Sequence, residues 1–142
     1  MAQFYPDAEN HVQLFYPWFL FNWVYDPEEV ETELRGPVDT TVAESYLDQR
    51  GERLDPLERR LIEETAGQPF SFYEVQRCQP GRGYRLKDML RGGAVDVIEK
   101  MGSQNAKVGN MLLARVIQID SVAMMIGCGS ILIPPRMKPE MI

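Results

Sequence analysis

The chain has 142 residues and a net charge of −6, enough length for one domain with a substantial core. Its apolar fraction of 44% and charged fraction of 25% are those of an ordinary globular protein. No stretch approaches the roughly 18–20 uncharged apolar residues that a membrane span requires, and the most apolar N-terminal run, 14–24, is short, contains Asn22 and follows Asp7 and Glu9, which excludes the basic start of a secretion signal.

The charge is unevenly divided. Residues 1–69 carry fifteen acidic and five basic side chains, whereas 70–142 carry six acidic and ten basic, so the halves stand at −10 and +4. Such a split predicts either two surfaces that complement each other or a basic surface for an acidic partner.

From the N-terminus, Asp7 can cap a helix start, with Glu9 at the favourable end of its dipole. Val12, Phe15, Tyr16, Phe19 and Trp23 recur at helical spacing, and Pro17 predicts a kink or restart. The aromatic density of this stretch, Phe15 to Tyr25, is read as a helix buried nearly all round in preference to a stacking platform. Asp26-Pro27 is expected to end it, and residues 28–39, acidic and holding Gly36-Pro37, form a loop whose spacing matches no calcium site. Thr41 with Glu44, and Asp55-Pro56 with Glu58, have capping-box spacing and open two further helices. Gly67 is expected to end the second of these with a left-handed residue.

The period changes from helical to two at Phe70. Runs at 70–77, 84–90, 94–100, 111–119 and 122–133, separated by Pro80-Gly81-Arg82-Gly83, Gly92-Gly93, the loop 102–110 and Asp120-Ser121, predict five short strands. Tight turns between short strands favour a closed sheet, because closure removes exposed edges. The expected fold is therefore α+β in a single domain 1–142: an acidic helical half (1–69), a basic five-stranded antiparallel barrel, SH3-like or OB-like (70–133), and an extended proline-bearing tail (134–142).

Catalytic machinery is hard to assemble from these residues. The sole histidine is His11, no GxSxG elbow occurs, and Cys78 and Cys128 lie fifty positions apart outside any CxxC pair. Two cysteines and one histidine do not supply a zinc site, so neither metal nor cofactor is expected. Cys128, between Gly127 and Gly129, is the better candidate thiol, although a packed strand cysteine is the simpler reading. Gly81-Arg82-Gly83 lacks the lysine-serine ending of a phosphate loop and reads as a hairpin turn. Arg77, Arg82, Arg85, Lys87 and Arg91 fall within fifteen positions, near Tyr73 and Tyr84, and are the candidate nucleic-acid contacts, since small barrels bind single strands through basic grooves with stacking aromatics. Against that stands docking of the same side chains on the acidic helices.

Several phrases occur together in one order: Trp18-Phe19-Leu20-Phe21, Tyr46-Leu47, Phe72-Tyr73-Glu74-Val75, Leu86-Lys87-Asp88-Met89-Leu90 and Leu113-Ala114-Arg115-Val116. Over roughly 12–120 they resemble an uncharacterised bacterial domain that often precedes a C-terminal SEC-C zinc-binding motif. The resemblance implies a bacterial or phage cytosolic protein and carries over no functional residue, and the cysteine-rich SEC-C tail is missing. The expectation is a cytoplasmic, non-catalytic module that binds a protein partner or serves a larger assembly. Nucleic-acid binding is the alternative and an enzyme the last choice. Neither oligomeric state nor barrel type is legible.

Overall fold

The structure, a computed structural model, describes residues 8–24, 26, 28, 39–129 and 132–137, with side chains from Val12 onward. Asp7, the side chains of Glu9 and His11, and most of the acidic loop 28–39 lie outside the described residues.

Among the described residues, three α-helices precede the barrel: α1 (Ala8–Phe21), α2 (Val42–Arg50) and α3 (Pro56–Gly67). Both capping boxes form. The Thr41 hydroxyl accepts from the Glu44 amide while the Glu44 carboxylate accepts from the Thr41 amide, and Asp55 and Glu58 exchange the equivalent bonds with Pro56 in the first turn. Gly67 does not end α3 as expected. It stays helical, and the chain leaves at Gln68 in an extended conformation (φ −115°), whose amide bonds the Thr65 carbonyl. Helix α1 runs through Pro17 without a break and ends at Phe21, short of Pro27, where the amides of Asn22 and Trp23 both reach the Trp18 carbonyl.

The strands are β1 (Ser71–Gln79), β2 (Gly83–Asp88), β3 (Ala94–Ile98), β4 (Met111–Ile119) and β5 (Val122–Cys128). They close into a barrel in the order β1-β2-β3-β5-β4. Four neighbour pairs are antiparallel, but β3 and β5 close the barrel in parallel, through Val97 opposite Ala123, so the sheet is mixed. This Greek-key connectivity belongs to the OB-like alternative. The loop 102–110 holds one helical turn, α4 (Gly102–Asn105), and the tail holds a 3₁₀ turn at Pro135–Met137 where none was expected.

Alternation places Tyr73, Val75, Tyr84, Leu86, Val97, Leu112, Ala114, Val116 and Ala123 in the core. Strand β4 is buried on both faces, because helix α3 packs on its outer side and α1 packs on neighbouring β5. The outer faces of β2 and β3 stay open at Arg85, Lys87, Asp96 and Ile98.

The register of β1 shifts at Gln76, so Val75 opposes Leu86 but Arg77 opposes Arg85. Strict alternation from Ser71 would turn Arg77 into the core with Val75. The one-residue bulge turns it outward and turns Cys78 inward instead.

Candidate functional site

Two surfaces emerge. The first is a groove of about 410 Å³ lined by Arg77 and Gln79 of β1, Arg82 of the β1–β2 turn, Arg85 of β2, and Asp96 and Ile98 of β3. Its floor depends on Gly83, whose φ of +156° and contact with β3 leave no room for a side chain: an added Cβ would stand 2.0 Å from the Val97 carbonyl oxygen. Arg85 donates to the Asp96 carboxylate at 2.7 Å. The side chains of Arg77 and Arg82 have no hydrogen-bond or ion-pair partner among the described residues.

The five predicted basic residues do not form one patch. Lys87 sits outward on β2 opposite Glu74, an arrangement that offsets its charge. Arg91 lies in the turn at the other end of β2 and clamps Asp88, with Nε 3.1 Å from the carboxylate. Asp88 is buried and accepts from the Ser71 hydroxyl at 2.5 Å and from the amides of Leu90 and Arg91. Burial opposes its charge most strongly, yet the Ser71 hydroxyl, these two amides and the Arg91 guanidinium together hold the carboxyl below its usual range. Tyr73 and Tyr84 are core residues, 3% and 6% exposed, and offer no stacking platform. Nor do the groove arginines dock on the acidic helices. Among the described residues, the ion pair joining helix to barrel is Arg60 of α3 with Asp120 of the β4–β5 turn, at 2.8 Å.

The second surface is α1. The expected all-round burial fails: Phe15, Tyr16 and Trp18 are 50%, 56% and 45% exposed. Phe15, Phe19 and Trp23, spaced at i, i+4 and i+8, stack in sequence with centroids 5.8 and 5.3 Å apart. From Val12 to Val24 the chain carries no charge. The helix meets the barrel along the side that carries Pro17, and at Gly127 the Pro17 Cγ and the Gln13 carbonyl oxygen lie 2.9 Å from where a Cβ would stand. Pro17 lacks the amide that would otherwise bond that carbonyl within the helix.

Arg115 of β4, absent from the predicted set, anchors this helix. It is 1% exposed, with the Phe70 and Phe21 rings 4.7 and 5.4 Å from its guanidinium carbon. It donates to the Pro17 carbonyl at 3.2 Å and to the Asn22 side-chain oxygen. Its Nε has no partner, and no carboxylate among the described residues lies within ion-pair distance. Burial lowers its pKa. Sequence alternation alone gives no sign that the end of helix α1 covers Arg115.

The Cys128 thiol faces a cavity of about 440 Å³ that Tyr84, Glu99 and Met125 also line. Burial, then the Glu99 charge, pushes it up to about 11, so it stays protonated at neutral pH, the opposite of what a nucleophile needs. Among the described residues no cluster of three or more His, Cys, Asp and Glu side chains could hold a metal ion, and no helix is long and apolar enough to cross a membrane.

The model of a family of unknown function (DUF7986) matches residues 33–135, which spans α2, α3 and the whole barrel but starts after α1. No curated protein and no solved structure matches the chain.

Proposed function

Because the chain belongs to that family over more than half its length, and the family brings no assigned activity, we propose from its surface that it is a non-catalytic interaction module binding a protein partner through helix α1. The observation that carries this reading is the uncharged aromatic face, with Phe15, Tyr16 and Trp18 each about half exposed on a helix anchored from behind by Arg115. Contiguous exposed apolar surface costs free energy in water, and rigid aromatics give large contact area at low cost in side-chain entropy, which is why such patches mark protein contacts. A protonated Cys128 thiol supports a binding role over thiol catalysis. The setting we infer is the bacterial cytoplasm, in an accessory role beside a larger assembly, as the resemblance to the SEC-C-associated domain implies.

Affinity capture from cells, with the wild-type chain and the Tyr16→Asp/Trp18→Asp variant as paired baits, tests this. The expected result is a stoichiometric partner held by the wild type and lost from the variant, while circular dichroism shows the same barrel in both. Identical recovery with both baits, or no partner with either, overturns the reading.

A further inference from the structure

The groove between β1, β2 and β3 is independent of the aromatic helix, and its charges are unbalanced. Arg77 and Arg85 stand directly opposite each other on antiparallel strands, a position that puts Cβ atoms about 4.5–5.5 Å apart and makes like charges repel. Arg82 adds a third guanidinium from the adjoining turn, and Asp96 is the one carboxylate on the lining, already engaged by Arg85. Three cations against one anion leave two positive charges on one wall of a protein whose net charge is −6. The bulge at Gln76 turns Arg77 toward this wall, and no residue of α1, α2 or α3 lines it. Exposed Ile98 gives the rim an apolar edge.

We propose that this groove is a phosphate site, built from Arg77, Arg82 and Arg85, that takes successive backbone phosphates of a single-stranded nucleic acid. Guanidinium forks match phosphate oxygens in pairs and are weakly hydrated, so a phosphate seated between Arg77 and Arg85 turns their repulsion into a bridged contact. The outer face of strands 2 and 3 with the first turn is also where small Greek-key barrels take oligonucleotides, a fold-level analogy that agrees with the charge argument without carrying it. With Tyr73 and Tyr84 buried, recognition falls on the backbone and not on base stacking, so binding is expected to tolerate sequence. Asp96 weakens the site by holding Arg85.

The test is fluorescence anisotropy of a labelled oligo-dT and oligo-U against the whole chain over a salt series, with inorganic phosphate and a free nucleotide as competitors. Binding is expected to weaken with salt at a slope of about −0.7 per phosphate contacted, so about −2 for three arginines. Arg77→Glu/Arg82→Glu is expected to lose at least roughly tenfold in affinity and to flatten the slope by about 0.7 per residue. Both side chains are exposed and without partners, so the variant should melt with the wild type, and Arg77→Gln/Arg82→Gln serves as the milder second version. Asp96→Asn should tighten binding severalfold by freeing Arg85. Competition by the free nucleotide as strong as by the oligomer would keep the phosphate chemistry but overturn the polymeric ligand. No binding at low ionic strength, or binding unchanged in both arginine variants, would overturn the site.

Discussion

Replacing Arg115 with alanine should loosen helix α1 before it harms the barrel. The side chain lies between the Phe21 and Phe70 rings and donates to the Pro17 carbonyl. Losing the charged hydrogen bond costs about 1.5–3 kcal/mol. The two ring contacts contribute about 0.5–2 kcal/mol each, and the two buried methylenes removed add about 1.6 kcal/mol. Against this gross loss of about 4–9 kcal/mol stands relief of several kcal/mol of guanidinium desolvation. That relief is sizeable because no described carboxylate pairs with the group and Nε has no partner. The net expectation is a loss of about 2–4 kcal/mol, which at an unfolding entropy of ~2.1 cal/mol/K per residue lowers the melting temperature by about 7–13 °C. The assay is built into the chain: both tryptophans, Trp18 and Trp23, lie on α1 or just after it. Thermal melts followed by tryptophan emission should move ahead of those followed by far-ultraviolet circular dichroism in Arg115→Ala. In Arg115→Met, which keeps most of the packing, the separation should be smaller. Superimposable transitions at the wild-type temperature would refute the claim that Arg115 holds the helix.

Asp88 links folding to acid. Its folded carboxyl titrates below the usual range, so the stability it contributes is present above the ordinary carboxylate pKa and is lost as pH falls through the folded value. Urea midpoints in an acid series should fall less steeply for Asp88→Asn than for the wild type, from a lower starting stability at neutral pH; parallel curves would contradict the assignment. In a Cys78→Ser background, Cys128 should react with a disulfide reagent at neutral pH far more slowly than the same thiol in denaturant, because burial and Glu99 push it up to about 11; equal rates would show an open thiolate. The two glycines at opposite ends of the sterics provide a matched pair. Gly67→Ala meets nothing within 4 Å on a helical backbone and should gain about 0.5–1 kcal/mol. Gly83→Ala drives a Cβ into the Val97 carbonyl and should lose about 3–5 kcal/mol by urea denaturation; a neutral result at Gly83 would mean that β2 and β3 do not approach as described.

Local signals carried the sequence reading a long way. Thr41/Glu44 and Asp55-Pro56/Glu58 place two helix starts because a cap is written in residues three apart. The change of period at Phe70 and the glycine turns mark all five strands, since alternation and turn chemistry are also short-range. What escaped depends on contacts distant in the chain. The parallel pairing of Val97 with Ala123 is a property of closure and not of either strand. Arg115 reads as an outward strand residue until α1 covers it. The aromatics of α1 read as core because aromatics bury most area, yet the helix meets the barrel along the side that carries Pro17 and leaves Phe15, Tyr16 and Trp18 about half exposed. Of the five basic residues, Arg77, Arg82 and Arg85 come together, whereas Arg91 is taken by Asp88 three positions away, a turn contact whose spacing is visible in the sequence.

The extra residue at Gln76 makes the chemistry of one wall a matter of counting. Every side chain from Arg77 to Gln79 owes its facing to that insertion, not to its own polarity. A single-codon insertion between Gln76 and Arg77 would work like a frameshift confined to the folded chain, presenting Cys78 to solvent and burying a guanidinium in the barrel, with every original residue unchanged in identity. The sensitivity of this face therefore lies in the length of β1 as much as in its composition, and related chains that keep the arginines but carry one more residue ahead of them would present a different surface.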